Sequence, residues 1–208
     1  MVELTFDNGF VLKWTRGLDG GGSTQYTDFL GLLSSKGKRY THGLEWCSGL
    51  GAIGYSILDA GLCEHVSFMD LYSPSKNHTL INSITNNVED KVSFYHLDAI
   101  HKLPIELKFD LVVANPPHCL TVEIENLNAN GIRMIHDDGW KIHHEFFMNI
   151  KSYLEPGADI FLSEIAVHKQ HIAMATEGGL TFKGIFSAPA LCVDSKQGAV
   201  IMHYRYET

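Results

Sequence analysis

The chain has 208 residues, of which 45% are apolar, 19% charged and 11% aromatic, and this composition excludes disordered, collagen-like and coiled-coil proteins. A single domain of that length buries roughly 70% of its extended-chain surface, so folding requires neither disulfides nor a structural metal. Sixteen Lys and Arg against twenty-four Asp and Glu give a net charge of −8, which argues against a protein that holds nucleic acid by general phosphate neutralisation.

Residues 1–5 carry neither a basic nor an apolar leader region, and apolar runs such as 111–114 fall far short of a membrane span. Four widely spaced cysteines (Cys47, Cys63, Cys119, Cys192) without a CxxC pair are therefore expected as free thiols in a reducing cytoplasm. Residues 1–40 read as an N-terminal extension. It holds a hairpin turning at Asn8-Gly9, a flexible loop through Gly20-Gly21-Gly22 that is either a lid or a plain linker, and a helix through Phe29, Leu30, Leu32 and Leu33.

Residues 41–208 then alternate. Strands are expected over 43–46, 66–69, 92–97, 109–114, 159–162, 182–186 and 199–206. Helices are expected over 52–60, from Ser73 as N-cap with Pro74 behind it, over 139–154 up to the stop at Glu155-Pro156-Gly157, and around 168–176. The pattern implies an α/β, Rossmann-like, doubly wound domain on a mainly parallel sheet, whose ligands bind at the carboxyl ends of the strands.

The first such end reads Glu45-Trp46-Cys47-Ser48-Gly49-Leu50-Gly51-Ala52-Ile53-Gly54, a GxGxxG turn between strand and helix. Asp70 follows Gly51 by nineteen residues, about the spacing of an acid that accepts ribose hydroxyls. A dinucleotide would place its pyrophosphate beside Glu45 and be repelled. S-adenosylmethionine carries a cationic amine and sulfonium instead, which a nearby carboxylate favours. Glu45 tips the choice toward that cofactor.

The fourth strand ends in Asn115-Pro116-Pro117-His118. This resembles the class I methyltransferases that carry an (Asn/Asp)-Pro-Pro-aromatic motif and methylate planar nitrogens, with a seven-stranded sheet. An amide or exocyclic amine is a poor nucleophile because its lone pair is delocalised. The Asn115 side-chain oxygen and the Pro116 carbonyl could accept its two N–H bonds, while Pro116 and Pro117 stiffen the turn.

From about residue 11 onward the chain is most similar to the HemK-type release-factor glutamine methyltransferases. Asp138-Gly139-Trp140, Tyr153-Leu154-Glu155-Pro156-Gly157 and Ser163-Glu164 follow that family's order. The resemblance implies catalytic roles for Asn115, Pro116, Pro117 and His118. It also implies cofactor contacts from Glu45, Cys47, Gly49, Gly51, Asp70 with Leu71, Asp98 with Ala99, and Asn115, with S-adenosyl-L-homocysteine as product.

Three departures stand out. Cys47 replaces a common glycine, and His118 stands where Tyr or Phe stacks on the substrate. Only about forty residues precede the glycine motif, without the helical domain that recognises release factors. A glutamine side-chain amide in a protein is the leading acceptor, and the exocyclic amine of a nucleic-acid base is second. A nicotinamide-dependent oxidoreductase would share the glycine motif but leave 115–118 without a role, and a non-catalytic binding protein on the same fold would lose function in His118 and keep only the cofactor pocket.

Other features are read as ordinary. The pairs His143-His144 and His168/His171 lack a third ligand at recognised spacing, so no metal is expected. Trp140, Phe147, Ile150 and Leu154 form a core face, and Lys36, Lys38 and Arg39 a solvated helix end. The long connection over 121–137 is assigned to substrate capture.

Overall fold

In the computed structural model, which describes residues 1–119, 135–165, 168–190 and 199–207, the expected hairpin is β1 (Val2–Thr5) paired with β2 (Val11–Trp14). Gly9 takes φ 104° at the turn, a conformation that glycine adopts without strain. Then come α1 (Gly22–Lys36), β3 (Tyr40–Trp46), α2 (Ala52–Asp59), β4 (Cys63–Asp70), α3 (Ser73–Asn86), β5 (Val92–His96) and β6 (Phe109–Ala114). They are followed by α4 (Lys141–Asn149), β7 (Leu154–Glu164), α5 (Lys169–Glu177), β8 (Thr181–Ser187) and β9 (Val200–Arg205). Cys192 and all but the last three residues of the 121–137 connection lie outside the described residues.

Seven strands form one sheet in the order β5-β4-β3-β6-β7-β9-β8, in which only β9 runs antiparallel to its neighbours. Chain order reverses between β3 and β6, so the crevice of a doubly wound sheet opens there. Trp46 pairs with Ala114 across that junction, and the turns after the two strands therefore leave the sheet side by side. Strand alternation supplies both cores: Leu111 and Val113 face the hairpin, α1 and α2, while Val112 and Ala114 face α4 and α5.

The N-terminal hairpin shares the first of these cores through Leu12 and Trp14, and α3 fastens it. Asn86 Oδ1 accepts the Val11 N–H at 2.7 Å and Asn82 Oδ1 accepts the Lys13 N–H at 2.8 Å. Both amide groups donate back to the same residues' carbonyls. This satisfies the outer edge of β2, which would otherwise be an open strand edge.

Several local expectations are corrected. Tyr72, not Ser73, is the N-cap of α3, and its N–H is held by Asp70 Oδ1 at 2.7 Å. The helix expected over 139–154 is broken at its start. Gly139 and Trp140 sit at φ 63° and 60° in a 3-10 turn, α4 begins at Lys141, and a second 3-10 turn covers Ile150–Tyr153. Lys38 is not a solvated helix end, since its ammonium pairs with the buried Asp159 at 2.8 Å.

Gly178 ends α5 against α4, where an added Cβ would overlap the Phe147 carbonyl oxygen. Backbone cannot yield there as a flexible side chain could. Gly178→Ala is expected to lower the melting temperature by several degrees, equivalent to about 1–3 kcal/mol for overpacking. A melt unchanged from wild type would show that α5 slides freely.

Candidate active site

A cavity of about 220 Å³ opens at the carboxyl ends of β3, β4 and β6. Of the residues singled out in the sequence, Glu45, Cys47, Gly49, Asp70, Leu71, Asp98, Asn115 and Pro117 line it. Gly51, Ala99, Pro116 and His118 are not on its wall. Gly51 shapes the turn instead, at φ 81°, together with Cys47 at φ 55° and Gly49 at φ 52°. The glycine run forms a roof: Gly17, Leu18, Gly20 and Gly22 line the same cavity, and α1 starts at once behind Gly21. Asp19 explains the early helix start, because its Oδ1 accepts the N–H groups of Gly21 and Ser23.

The turn spends its amide donors internally. Gly49 N–H donates to Asp70 Oδ2 at 2.6 Å, Gly51 N–H to the Ser48 carbonyl at 2.7 Å, and Ser48 N–H to the Met69 carbonyl at 3.0 Å. Gly54 N–H donates to Glu45 Oε2 at 2.6 Å, and the Ile53 N–H also bonds that carboxyl group. A phosphate at the start of α2 would need these same donors. Gly54 must remain glycine, because a Cβ would stand 2.5 Å from Phe68 Cε1 and 2.6 Å from Glu45 Oε2.

Glu45 is only 3% exposed. Burial pushes its pKa up to about 8, against the Gly54 and Ile53 N–H groups that hold it down. The native protein therefore keeps a proton that the unfolded chain releases near pH 4.5. Stability from this group is full below that pH and is lost as pH rises toward 8. Glu45→Gln should melt close to wild type at pH 5 and above it at pH 8. A constant difference across that window would refute the assignment. Asp70 is raised in the same direction by burial, opposed by the Tyr72 and Gly49 N–H groups.

Next to this cavity the turn after β6 presents Asn115. Its Nδ2 donates to the Gly20 carbonyl at 2.9 Å, which ties the catalytic turn to the roof. Its Oδ1 is buried and has no hydrogen-bond partner. Pro116 and Pro117 are buried behind it. The His118 ring turns toward Ser163 and Glu164 at the end of β7, with Nδ1 buried and unpartnered. Burial lowers its pKa, with Glu164 opposing, so the ring is neutral at pH 7.

Of the two histidine pairs, His144 is exposed and His168 half-buried, whereas the other two members lie in the core. His143 and His171 are fully buried and stack at 4.2 Å between ring centroids, and both face Glu164. Asp137 holds His143 from the other side, Nδ1 to Oδ2 at 2.7 Å, and caps α4 by accepting the Ile142 and His143 N–H groups. Burial alone would lower the His143 pKa, but Glu164 and Asp137 outweigh it and raise it to about 9. Trp140, expected as plain core, packs its ring on His143, His168 and His171. Sequence reasoning missed Asp137 and Glu164 here, because they lie 6 and 21 residues from His143. Only the resemblance marked their neighbourhood.

No family model matches the chain. Its fold is similar to that of SMU.776, solved in complex with SAH, at a TM-score of 0.61 and 14% identity over 87% of this chain and 49% of that one. The fold is that of the class I methyltransferases. Structures of this methyltransferase fold carry the names of protein and RNA methylases alike. A bifunctional methyltransferase of Rickettsia typhi is 28% identical over 126 residues, 57% of this chain and 24% of that protein. A release factor glutamine methyltransferase of Clostridium acetobutylicum is 39% identical over 83 residues, 39% of this chain and 29% of that protein. The chain thus matches about a quarter of the length of these curated relatives. Among the described residues no helix is long and apolar enough to cross a membrane.

Proposed function

We propose that this chain is an S-adenosylmethionine-dependent methyltransferase that methylates a planar nitrogen, with the glutamine side-chain amide of a protein as its acceptor. The observation that carries this reading is the Asn115 amide. Its nitrogen is anchored to Gly20, its oxygen is a buried acceptor without a donor, and the residue lines the cavity. An unpaired buried acceptor costs about 1–3 kcal/mol, a cost that an incoming N–H removes. The same bond aims the acceptor nitrogen and returns electron density to its lone pair.

The cofactor follows from what the glycine turn lacks. With the Gly49, Gly51 and Gly54 N–H groups already used, little remains to cradle a pyrophosphate, which disfavours a dinucleotide. The buried Glu45 and the half-buried Asp70 line the cavity, burial raises the pKa of both, and a cationic ligand would favour their charged forms. When bound, S-adenosylmethionine supplies an electrophilic methyl on a sulfonium. Asp70 and Leu71 would hold the ribose side, Asp98 and Ala99 the adenine side, and Glu45 with Cys47 the amine side. Pro116 would offer its carbonyl to the second N–H of the acceptor. His118, whose ring lies off the cavity wall against Ser163 and Glu164, would flank the acceptor plane only after turning, and as a neutral ring would add no charge against the sulfonium.

A protein acceptor is supported by the net charge of −8 and by the partial likeness to a glutamine methyltransferase. A thermal-shift screen of S-adenosylmethionine, S-adenosylhomocysteine and NAD tests the cofactor; stabilisation by NAD alone would overturn it. Labelled methyl transfer to a cell extract, located by mass spectrometry, tests the acceptor. Label on nucleic-acid bases, with none on glutamine, would overturn that part and leave the transfer chemistry standing.

A further inference from the structure

We propose that His143, His171 and Glu164 form a binding site for one divalent transition-metal ion of zinc's chemistry. The three residues come from α4, α5 and the carboxyl end of β7, and none has exposed surface. One ligand atom from each lies within 4.8 Å of the others. His143 Nε2 is 2.9 Å and His171 Nδ1 3.4 Å from Glu164 Oε1. Ligand atoms around a tetrahedral ion with bonds of about 2.0–2.1 Å stand about 3.3 Å apart, so the distances need only a small widening. The His171 ring, stacked on His143 at 13° between planes, must also turn to aim a nitrogen at the ion, and no hydrogen bond holds it back.

Unsatisfied donors and acceptors point to the same place. Glu164 Oε2 and both ring nitrogens of His171 are buried without a hydrogen bond. Native interiors hold few such groups, and each costs about 1–3 kcal/mol. His168 adds a further unpartnered Nε2 close by, its ring 4.8 Å from that of His171. Asp137 completes the pattern from behind. By accepting from His143 Nδ1 at 2.7 Å, it turns the Nε2 lone pair toward the proposed ion, the usual arrangement for a metal-bound imidazole.

Asp137 and Glu164 bring two carboxyl groups to opposite nitrogens of one imidazole in a fully buried place, a setting that suits a cation. Two imidazole nitrogens and a carboxylate oxygen suit zinc better than magnesium or calcium, which take oxygen ligands. A protonated His143 bridging Asp137 and Glu164 would account for those two contacts. It leaves His171 and Glu164 Oε2 unexplained, and it forecasts no metal. The site would clamp α4 and α5 to the end of β7, beside His118, and it supplies the third ligand that sequence spacing did not reveal.

The test uses the whole chain, purified without chelator and without a metal-affinity tag. Elemental analysis should find about one zinc per chain. After chelation, one equivalent of cobalt(II) should give the visible absorption of a tetrahedral site, undisturbed by excess magnesium. His171→Asn, folded by circular dichroism, should lose that absorption; His101→Asn, at an exposed histidine, should keep it. Zinc absorption-edge spectroscopy of the wild type decides the matter if His171→Asn fails to fold. An imidazole and oxygen shell supports the site, and a sulfur ligand overturns it. Absence of stoichiometric zinc together with an octahedral cobalt spectrum also overturns it, as does an unchanged spectrum in folded His171→Asn.

Discussion

Replacing Asn115 by alanine is expected to slow methyl transfer by about 10²–10³ while changing the affinity for S-adenosylhomocysteine little. The reasoning rests on the division of labour within one amide. The unpartnered Oδ1 is the group proposed to meet the acceptor N–H, and its loss removes a preorganised contact from the transition state. The Nδ2 bond to Gly20 only ties the turn to the roof, on an exposed side, so the cofactor should still bind. Single-turnover transfer and titration calorimetry measure the two quantities separately. Equal losses in both would mean that the roof, and not the acceptor contact, is what Asn115 maintains. Asn115→Asp keeps the oxygen and loses the donor, and is expected to recover part of the rate.

Asp70→Ala should weaken S-adenosylhomocysteine binding by roughly 2–4 kcal/mol, the worth of two hydrogen bonds to a charged acceptor. The carboxylate also holds the Gly49 and Tyr72 N–H groups, so part of this loss comes from the turn and the start of α3. Asp70→Asn separates the contributions. It retains an oxygen for one N–H but presents an NH₂ to the other, and it carries no charge. Affinity that falls in Ala while the melting temperature stays near that of Asn assigns the loss to the ligand. Unchanged affinity in the alanine variant would remove Asp70 from the ribose site.

Much of this architecture was legible in the sequence, and the reasons for the exceptions are specific. β6 falls at the expected residues 109–114, because the apolar run after Asp110 that stops before a double proline has few other readings. The glycine turn and Asp70 meet at the cavity as their spacing implied. The helix over 139–154 was misread because periodicity does not register a left-handed backbone at Gly139 and Trp140. The glycine run was read as a loop because glycine disfavours helix interiors, while Asp19 supplies a cap from outside the helix. Lys38 finds Asp159 only through the fold, 121 residues away. The histidine cluster is hidden for the same reason. Its members sit on α4, β7 and α5, and no motif spacing relates them.

The pairing of Trp46 with Ala114 has a consequence for how such a chain changes acceptors. Neighbouring strands are held about 4.8 Å apart by their hydrogen bonds. The turn proposed to carry the methyl donor and the turn proposed to receive the acceptor therefore inherit their separation from the sheet, not from their own sequences. Residues beyond Pro117 can be rewritten without moving the point where the two turns emerge. What the second turn recognises is thereby uncoupled from the separation of the two turns, which the strand pair alone sets.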